Sequence, residues 1–234
     1  YHFCFDLRVF GWQPGWNFYS DPFWTWQRTG ILSTFLLCAG LGQGIASAQG
    51  QSWARFWRRW WQVAAGAALV SISTYATFAH RFVSFGVLHG IALMLIITRL
   101  LAPHLRPRHF LGLGAPCIGL HFAYQAQVGT GHTFPAVFDS RWLNWLGLVS
   151  HKPATEDFVP LLPWLGVMLL GAAGGLYLQK RTQHPLQTWQ VPPSLAPLFA
   201  PLLWLGRHSL GFYLVHQPIF WGLLYAAAWA GWRP

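Results

Sequence analysis

An imidazole and a carboxylate stand four residues apart near the start of the sequence, at His2 and Asp6. If the segment is helical, the two side chains share one face, because residues i and i+4 lie one above the other. A carboxylate beside an imidazole fixes its tautomer and raises its basicity, which is the core of a general base. The same spacing also suits a structural hydrogen bond at a helix end, and the pattern alone does not choose between the two.

The densest group of polar side chains lies near the other end of the sequence, in LGRHSLGFYLVHQP (205–218). Helical spacing places His208 and His216 on one stripe, and Ser209 and Gln217 on the adjacent stripe. Arg207 carries a planar fork that could hold a phosphate or carboxylate, or it is an interfacial residue whose stem covers apolar surface. Because ionisable groups are costly within a membrane, we expect this segment to face a bundle interior or a wet cavity.

Four more polar residues lie between these two segments. His89 is surrounded by apolar residues, and a hydrogen bond to a neighbouring helix is as well supported as a functional role. His121 and Gln125 form another i, i+4 pair, for which a structural role in holding membrane helices together is favoured. Asp157, at the start of a predicted helix, could orient a substrate or stabilise the helix N-terminus.

The composition indicates a membrane protein. Of the 234 residues, 54% are hydrophobic and 9% are charged, whereas soluble domains carry about 25% charged residues. The net charge of +10 does not indicate nucleic-acid binding, because the Lys and Arg residues cluster between apolar runs, as the positive-inside rule describes. A disordered chain, a nucleic-acid-binding domain and an ordinary soluble enzyme are therefore excluded, and the lipid bilayer is the first expected partner.

The apolar runs predict an all-α fold, a polytopic transmembrane bundle of about seven to eight membrane helices in a single domain over residues 1–234. The start of the sequence looks like the outer half of a first helix, which is expected to be truncated in this chain. A break is expected near Gly206 and Arg207 in the last long helix. The predicted spans after the first are 30–48, 62–79, 85–101, 110–128, 158–178 and 202–229.

Basic residues predict the orientation of these spans. The loops 52–59, 99–108 and 180–181 fall on one side if each span crosses once, and that side should be cytoplasmic. Three other segments would then face outward: 13–26, which is expected to be an interfacial loop, 80–84 and 129–157. The last of these is the longest polar stretch, and loops of this length are often functional.

The cysteines and the absence of several known motifs exclude some kinds of site. Cys4, Cys38 and Cys117 lie in apolar stretches with no CxxC spacing, so they are expected to be core residues rather than a disulfide framework or a metal site. No metal is predicted. The sequence has no Walker loop, no GxSxG turn and no HExxH helix, and nucleotide binding of the soluble type and serine-triad chemistry have no support.

Four stretches together resemble the bacterial branch of the heparan-α-glucosaminide N-acetyltransferase family. They lie in the family's order over most of the chain, and the last of them is the most specific. The four are YHFCFDL (1–7), FVSFGVLHGIALML (82–95), DFVPLLPWLGVMLLG (157–171) and LGRHSLGFYLVHQP (205–218). The resemblance implies a multi-pass protein of the bacterial inner membrane that transfers acetyl groups from acetyl-CoA to a sugar on the outer side.

The resemblance also implies roles for the residues picked out above. The animal enzyme uses a histidine and an asparagine near the outer end of the helix matching residues 1–12, and His2 matches the neighbourhood of both. His2, oriented by Asp6, would deprotonate the acceptor, for which a cell-envelope glycan is expected. The chain could assemble as a homo-oligomer. The residues expected to bind the phosphates of CoA or to line the site are Arg28, His89, Asp157, Arg207, His208, Ser209, His216 and Gln217.

Two other classes of function remain open from the sequence. Eleven histidines in a small helix bundle could supply the paired axial ligands of a haem-b electron carrier, and His89 with His216 is one such pair. A non-catalytic transporter or assembly protein is the third class. Paired half-chain repeats would favour a transporter, and the sequence shows none.

Overall fold

The computed structural model describes residues 1–77, 79–180 and 191–232. Within these ranges the chain forms α-helices and short 3₁₀ turns and has no β-strand, which confirms the predicted all-α fold. The described α-helices are α1 (His2–Val9), α2 (Pro22–Ala48), α3 (Trp53–Thr77), α4 (Val87–Leu101), α5 (Pro107–Gly129), α6 (Leu161–Lys180), α7 (Ala196–Arg207) and α8 (Ser209–Trp229).

Most helix positions agree with the apolar runs, but four helices, α2, α3, α5 and α7, begin before the predicted spans, α2 and α3 by the most. The expected interfacial loop over 13–26 ends early, because α2 starts at Pro22. The Asp21 carboxylate accepts a hydrogen bond from the Phe23 backbone at 2.8 Å, and proline is well suited to a first helical position. The basic, Trp-rich segment after residue 52 is likewise part of α3. The predicted break is confirmed, since α7 ends at Arg207 and α8 begins at Ser209.

Two of the described helices are long and apolar enough to cross a membrane. They are Pro22–Ala48, with a mean hydropathy of 1.5, and Leu161–Gln179, with a mean hydropathy of 1.7. The helix Val87–Leu101 is apolar but shorter. The expected seven to eight crossings stay a prediction, as does the orientation of the loops; residue 181 of the third basic loop lies outside the described residues.

The chain divides into two compact units. Unit 1 comprises Tyr1–Leu32 and Thr188–Pro234, and unit 2 comprises Ser33–Gln187. The division falls within α2, whose first part belongs to unit 1 and whose remainder belongs to unit 2. The expectation of a single domain stays a prediction.

Unit 1 is held together by aromatic rings. Phe18 is fully buried and stacks on Trp24 with ring centroids 4.2 Å apart. Phe5 of α1 meets the edge of Phe18 at 5.3 Å, so the first helix is packed against the turn that precedes α2. Aromatic pairs at these separations add about 0.5–1.5 kcal/mol beyond the area they bury. An eight-residue helix is not stable alone, and this packing fixes the position of α1.

Unit 2 is built on close helix contacts. Helix α6 packs against α5 and against the second half of α2, and glycines mark the crossing with α2. A buried arginine, Arg99 on α4, stabilises the other end of the unit. Its guanidinium donates to the Ser47 hydroxyl and to the Gln51 carbonyl and lies 4.9 Å from the centroid of the Trp53 ring. These contacts join α4 to the end of α2 and the start of α3.

Candidate functional site

A buried carboxylate joins the first helix to the last one in unit 1. Asp6 is 1% exposed, and its Oδ1 accepts hydrogen bonds from Gln217 Nε2 at 2.7 Å and from Trp221 Nε1 at 3.0 Å. The two donors stand one helical turn apart on α8, so both reach the same oxygen. No described residue donates to the other oxygen, Oδ2, or to Oε1 of Gln217. The carboxylate is therefore fixed at one side only.

Two imidazoles meet beside this carboxylate. The rings of His2 on α1 and His216 on α8 lie with centroids 5.1 Å apart and planes at 62°. Nδ1 of His216 lies 2.6 Å from the Tyr213 carbonyl oxygen. A carbonyl can only accept, so this contact assigns the proton of a neutral His216 to Nδ1 and leaves Nε2 with a lone pair. His2 is exposed, whereas His216 is half-buried.

The structure thus brings together four residues that the sequence picked out in two distant segments: His2, Asp6, His216 and Gln217. No hydrogen bond joins His2 to Asp6 among the described residues, although both lie on α1. The carboxylate is instead oriented by α8. The role of His2 as the base and of Asp6 as its support therefore stays a prediction, and the structure adds His216 as a second imidazole within the same cluster.

Four residues predicted to bind substrate lie elsewhere in unit 1. Arg207 ends α7 and is exposed, as are the two residues that follow it, His208 and Ser209. His208 is turned back onto its own helix, with Nδ1 donating to the Trp204 carbonyl at 2.9 Å. Arg28 is exposed on the first part of α2. These side chains are accessible to a ligand.

The other two predicted residues, His89 and Asp157, each bond the backbone at the start of α4 in unit 2. Asp157 Oδ2 accepts a hydrogen bond from the Val87 backbone at 2.6 Å, so this carboxylate caps α4 rather than the helix that follows it in sequence. The two nitrogens of His89 face the Ser71 hydroxyl at 3.1 Å and the Gly86 backbone at 3.3 Å. The contact with Ser71 on α3 matches the structural interpretation of His89, whereas Asp157 caps a different helix from the one expected. The role of both residues toward substrate stays a prediction.

Two partners were missed from the sequence. Trp221 stands four residues after Gln217, and the spacing that identified the histidine stripe also puts these two donors on one face. Ser71 is a hydroxyl within the apolar run of α3, and such a side chain commonly bonds a neighbouring helix. In each case the sequence indicates a side chain that could form a hydrogen bond, but it does not show which residue is the partner.

The alternative hypothesis of a haem-b electron carrier paired His89 with His216 as axial ligands. These residues belong to different units of the chain, and the described contacts of each are with protein groups of its own unit. The pairing stays untested, and nothing in the described geometry favours it over acetyl transfer.

Comparison with known proteins identifies a family. The family model described as heparan-alpha-glucosaminide N-acetyltransferase, catalytic, matches residues 1–218. No curated protein and no solved structure matches the chain significantly. The matched range includes α1, the whole of unit 2 and unit 1 as far as residue 218, with the part of α8 that carries His216 and Gln217. Because the match covers nearly the whole chain, the protein belongs to the heparan-α-glucosaminide N-acetyltransferase family.

Proposed function

We propose that this protein transfers an acetyl group from acetyl-CoA to an amine or hydroxyl of a sugar on the outer side of a bacterial cytoplasmic membrane. Membership of an acetyltransferase family whose members use acetyl-CoA supports the reaction class and the donor. The observation that carries the proposal is the pair of imidazoles on α1 and α8 beside a buried carboxylate. A multi-pass arrangement in the bilayer is part of the proposal.

The imidazole pair suits the proton transfer that acetyl transfer requires. His2 would accept the proton of the acceptor nitrogen or oxygen while that atom bonds to the acetyl carbon. The thioester C–S bond breaks in the same reaction, and the proton is passed on to the sulfur of CoA. His216 is placed to share this proton, because its Nε2 has a lone pair and its ring touches that of His2. Two imidazoles this close repel when both are charged, so the pair is suited to holding one proton at a time.

Asp6 would act on the pair as a fixed negative charge. It is a positioning residue in this scheme, because Gln217 and Trp221 hold its carboxylate in place from α8. A buried carboxylate close to an imidazolium stabilises the charge that develops when the base takes up a proton. The same two hydrogen bonds fix α8 against α1 and thereby set the distance between His2 and His216.

Acetyl-CoA would be bound through its phosphates. Arg28 and Arg207 present exposed guanidinium groups in unit 1, and a guanidinium fork matches the oxygens of a phosphate group. His208 and Ser209 follow Arg207 directly and would add hydrogen-bond donors. His89 and Asp157 belong to unit 2 and would contribute to substrate binding there.

The acceptor is proposed to be a cell-envelope glycan, since a bacterial outer surface offers sugar amines and hydroxyls. The name of the matched family refers to a glucosaminide. An amino sugar is therefore the first acceptor to test, and its nitrogen would form the new amide.

The test is a transfer assay with membranes that contain the protein, radiolabelled acetyl-CoA and methyl α-glucosaminide, followed by separation of labelled sugar. His2→Ala is expected to lower the turnover number by about 10²–10⁴-fold, the usual worth of general base catalysis. The Michaelis constant for acetyl-CoA should change little, because the proposed phosphate ligands are elsewhere. His216→Ala should lower turnover in the same direction, and the double variant should lose less than the product of the two.

A matched control is His104→Ala, which removes an exposed histidine of unit 2 outside the cluster and should retain parental turnover. Expression and helical content are compared for every variant. If well-folded His2→Ala and His216→Ala proteins both keep parental turnover, the imidazole pair is not the base. If no sugar fraction of the envelope acquires label with the parent protein, the proposed reaction is wrong.

A further inference from the structure

A polar cavity of about 170 Å³ lies in unit 2, among residues that the predicted site did not include. It is formed by the long polar segment between α5 and α6 together with the short segment before α4. Its polar walls are provided mainly by Ser84, Asp139, Arg141, Asn144, His151 and Thr155.

One wall is held by a carboxylate. Asp139 accepts hydrogen bonds from the Ser150 backbone at 2.8 Å and from the Ser150 hydroxyl at 2.7 Å, with Nδ1 of His151 3.7 Å away. Partial burial raises the pKa of Asp139, but the two bonds from Ser150 and the neighbouring imidazole outweigh it, so the pKa lies below its ordinary value. The carboxylate is therefore ionised at neutral pH and fixes two parts of the loop, eleven residues apart.

Other parts of the lining, and the residues next to it, are also held by contacts within the protein. Thr155 donates its hydroxyl to the Phe82 carbonyl at 3.0 Å, and Glu156 forms an ion pair with Arg81 at 2.9 Å. The Arg141 guanidinium lies 5.0 Å from the centroid of the Phe82 ring. A cation over an aromatic face is held in place without losing all its hydrogen-bond donors. The cavity walls are thus formed before any ligand binds.

A buried amide in the wall lacks a partner. Asn144 is 2% exposed and lines the cavity, and no described residue donates a hydrogen bond to its Oδ1. Leaving such a group unsatisfied costs about 1–3 kcal/mol. Because this oxygen is itself shielded from solvent, the Asn144 side chain must turn for it to accept a hydrogen bond from a ligand in the cavity, and that bond would remove the penalty.

We propose that this cavity binds one sugar unit of the acceptor. Its lining combines a guanidinium, a carboxylate, an amide, an imidazole and two hydroxyls, which together supply both donors and acceptors, as a ring of hydroxyls requires. The carboxylate disfavours phosphate groups and favours a neutral or amino sugar. The volume is below the roughly 300–1,000 Å³ of pockets for drug-sized ligands, so a single sugar unit is bound rather than a chain.

This inference rests on the proposed function for its choice of ligand, but its test does not depend on turnover. The probe is methyl α-glucosaminide, and its binding to the purified protein in detergent is measured by saturation-transfer NMR. Arg141→Ala and His151→Ala change exposed side chains and should fold. Each is expected to weaken binding about tenfold, the effect of losing one hydrogen bond to a charged or strongly polar group.

His132→Ala is the matched control, since it removes an exposed histidine of the same loop that does not line the cavity. It should bind the sugar like the parent. Equal binding by the parent and both cavity variants would overturn the proposal, and so would absence of any signal from the parent.

The transfer assay separates failure of this proposal from failure of the proposed function. If the cavity binds the sugar, the cavity variants should raise the Michaelis constant for the sugar about tenfold and leave that for acetyl-CoA unchanged. Parental constants in both variants would remove the cavity from acceptor binding while the enzyme activity stands. Sugar binding that the cavity variants weaken, in a protein that transfers no acetyl group, would support the cavity and refute the reaction.

Discussion

Helices α2 and α6 approach so closely in unit 2 that a single added methyl group at their crossing should destabilise the protein. A Cβ added at Gly171 would lie 2.9 Å from both the Cα and the carbonyl carbon of Leu37 and would collide with the Leu37 oxygen. These are backbone atoms, which cannot rotate away as a side chain can. Gly171→Ala must therefore push the two helices apart.

The same helix contains its own control. A Cβ at Gly174 would meet nothing within 4 Å. Both substitutions gain the same helix propensity, about 0.5–1 kcal/mol, so this gain cancels when the two variants are compared. What remains is the cost of overpacking, about 1–3 kcal/mol. At about 2–4 °C per kcal/mol for a chain of this size, Gly171→Ala should melt about 2–12 °C below Gly174→Ala.

The measurement is the fraction of monodisperse protein on gel filtration after heating in one detergent. Gly174→Ala should melt at or slightly above the parent temperature. On α2, Gly40→Ala and Gly42→Ala form a second matched pair, since a Cβ at Gly40 would meet the backbone of Met168 and one at Gly42 would meet nothing. If Gly171→Ala and Gly174→Ala melt together, the helices do not cross as described and the reasoning is refuted.

Three further predictions concern single side chains. The pKa of Asp139 lies below its unfolded value of 3.8. The stability that its hydrogen bonds provide is therefore complete above pH 3.8 and is lost as the pH falls through the pKa of the folded state. In that acidic range, amide exchange at Ser150, corrected for intrinsic rate, should accelerate in the parent but not in Asp139→Asn. Asp157→Ala should cost about 0.5–2 kcal/mol through loss of the α4 cap, whereas Asp157→Asn, which keeps an acceptor for Val87, should cost less in thermal melts. Arg207→Ala should raise the Michaelis constant for acetyl-CoA, with partial rescue by Arg207→Lys; parental binding by both variants would make Arg207 an interfacial anchor.

The positions of the helices were predictable because a long apolar run in a membrane protein is compatible with few structures other than an α-helix. The errors occurred where side-chain chemistry misled. Proline and clustered aromatics before residue 26 looked like a loop, yet Asp21 followed by Pro22 is a helix start. Tryptophan and arginine after residue 52 looked like the boundary of a membrane span, but both residue types are compatible with an α-helix, and α3 includes them.

The spacing of glycines also indicated the close contact between α2 and α6, but the high glycine content of the sequence made this spacing hard to recognise. Gly40 and Gly44 are four residues apart, as are Gly171 and Gly175. Small residues at this spacing let membrane helices approach closely. In a sequence with 24 glycines such pairs are frequent, and only the structure shows which two of them meet.

The candidate site was predictable as a set of residues but not as a set of contacts. Local spacing put His2 and Asp6 on one face, and that is where they lie. The partners of Asp6 are 211 and 215 residues away, and no local pattern encodes a pairing at that separation. The cavity residues were harder still, because they come from an irregular loop in which no period applies.

The contacts of Asp6 limit how the chemistry of the histidine pair can be studied. The same carboxylate that would support an imidazolium also anchors an eight-residue helix that cannot persist alone. Asp6→Ala would remove both functions at once, since it leaves the donors of Gln217 and Trp221 buried without an acceptor. Asp6→Asn retains an oxygen for both donors and removes only the charge. A loss of turnover in Asp6→Asn at unchanged melting temperature would therefore report on electrostatics, whereas parallel losses would report on the packing of α1 against α8.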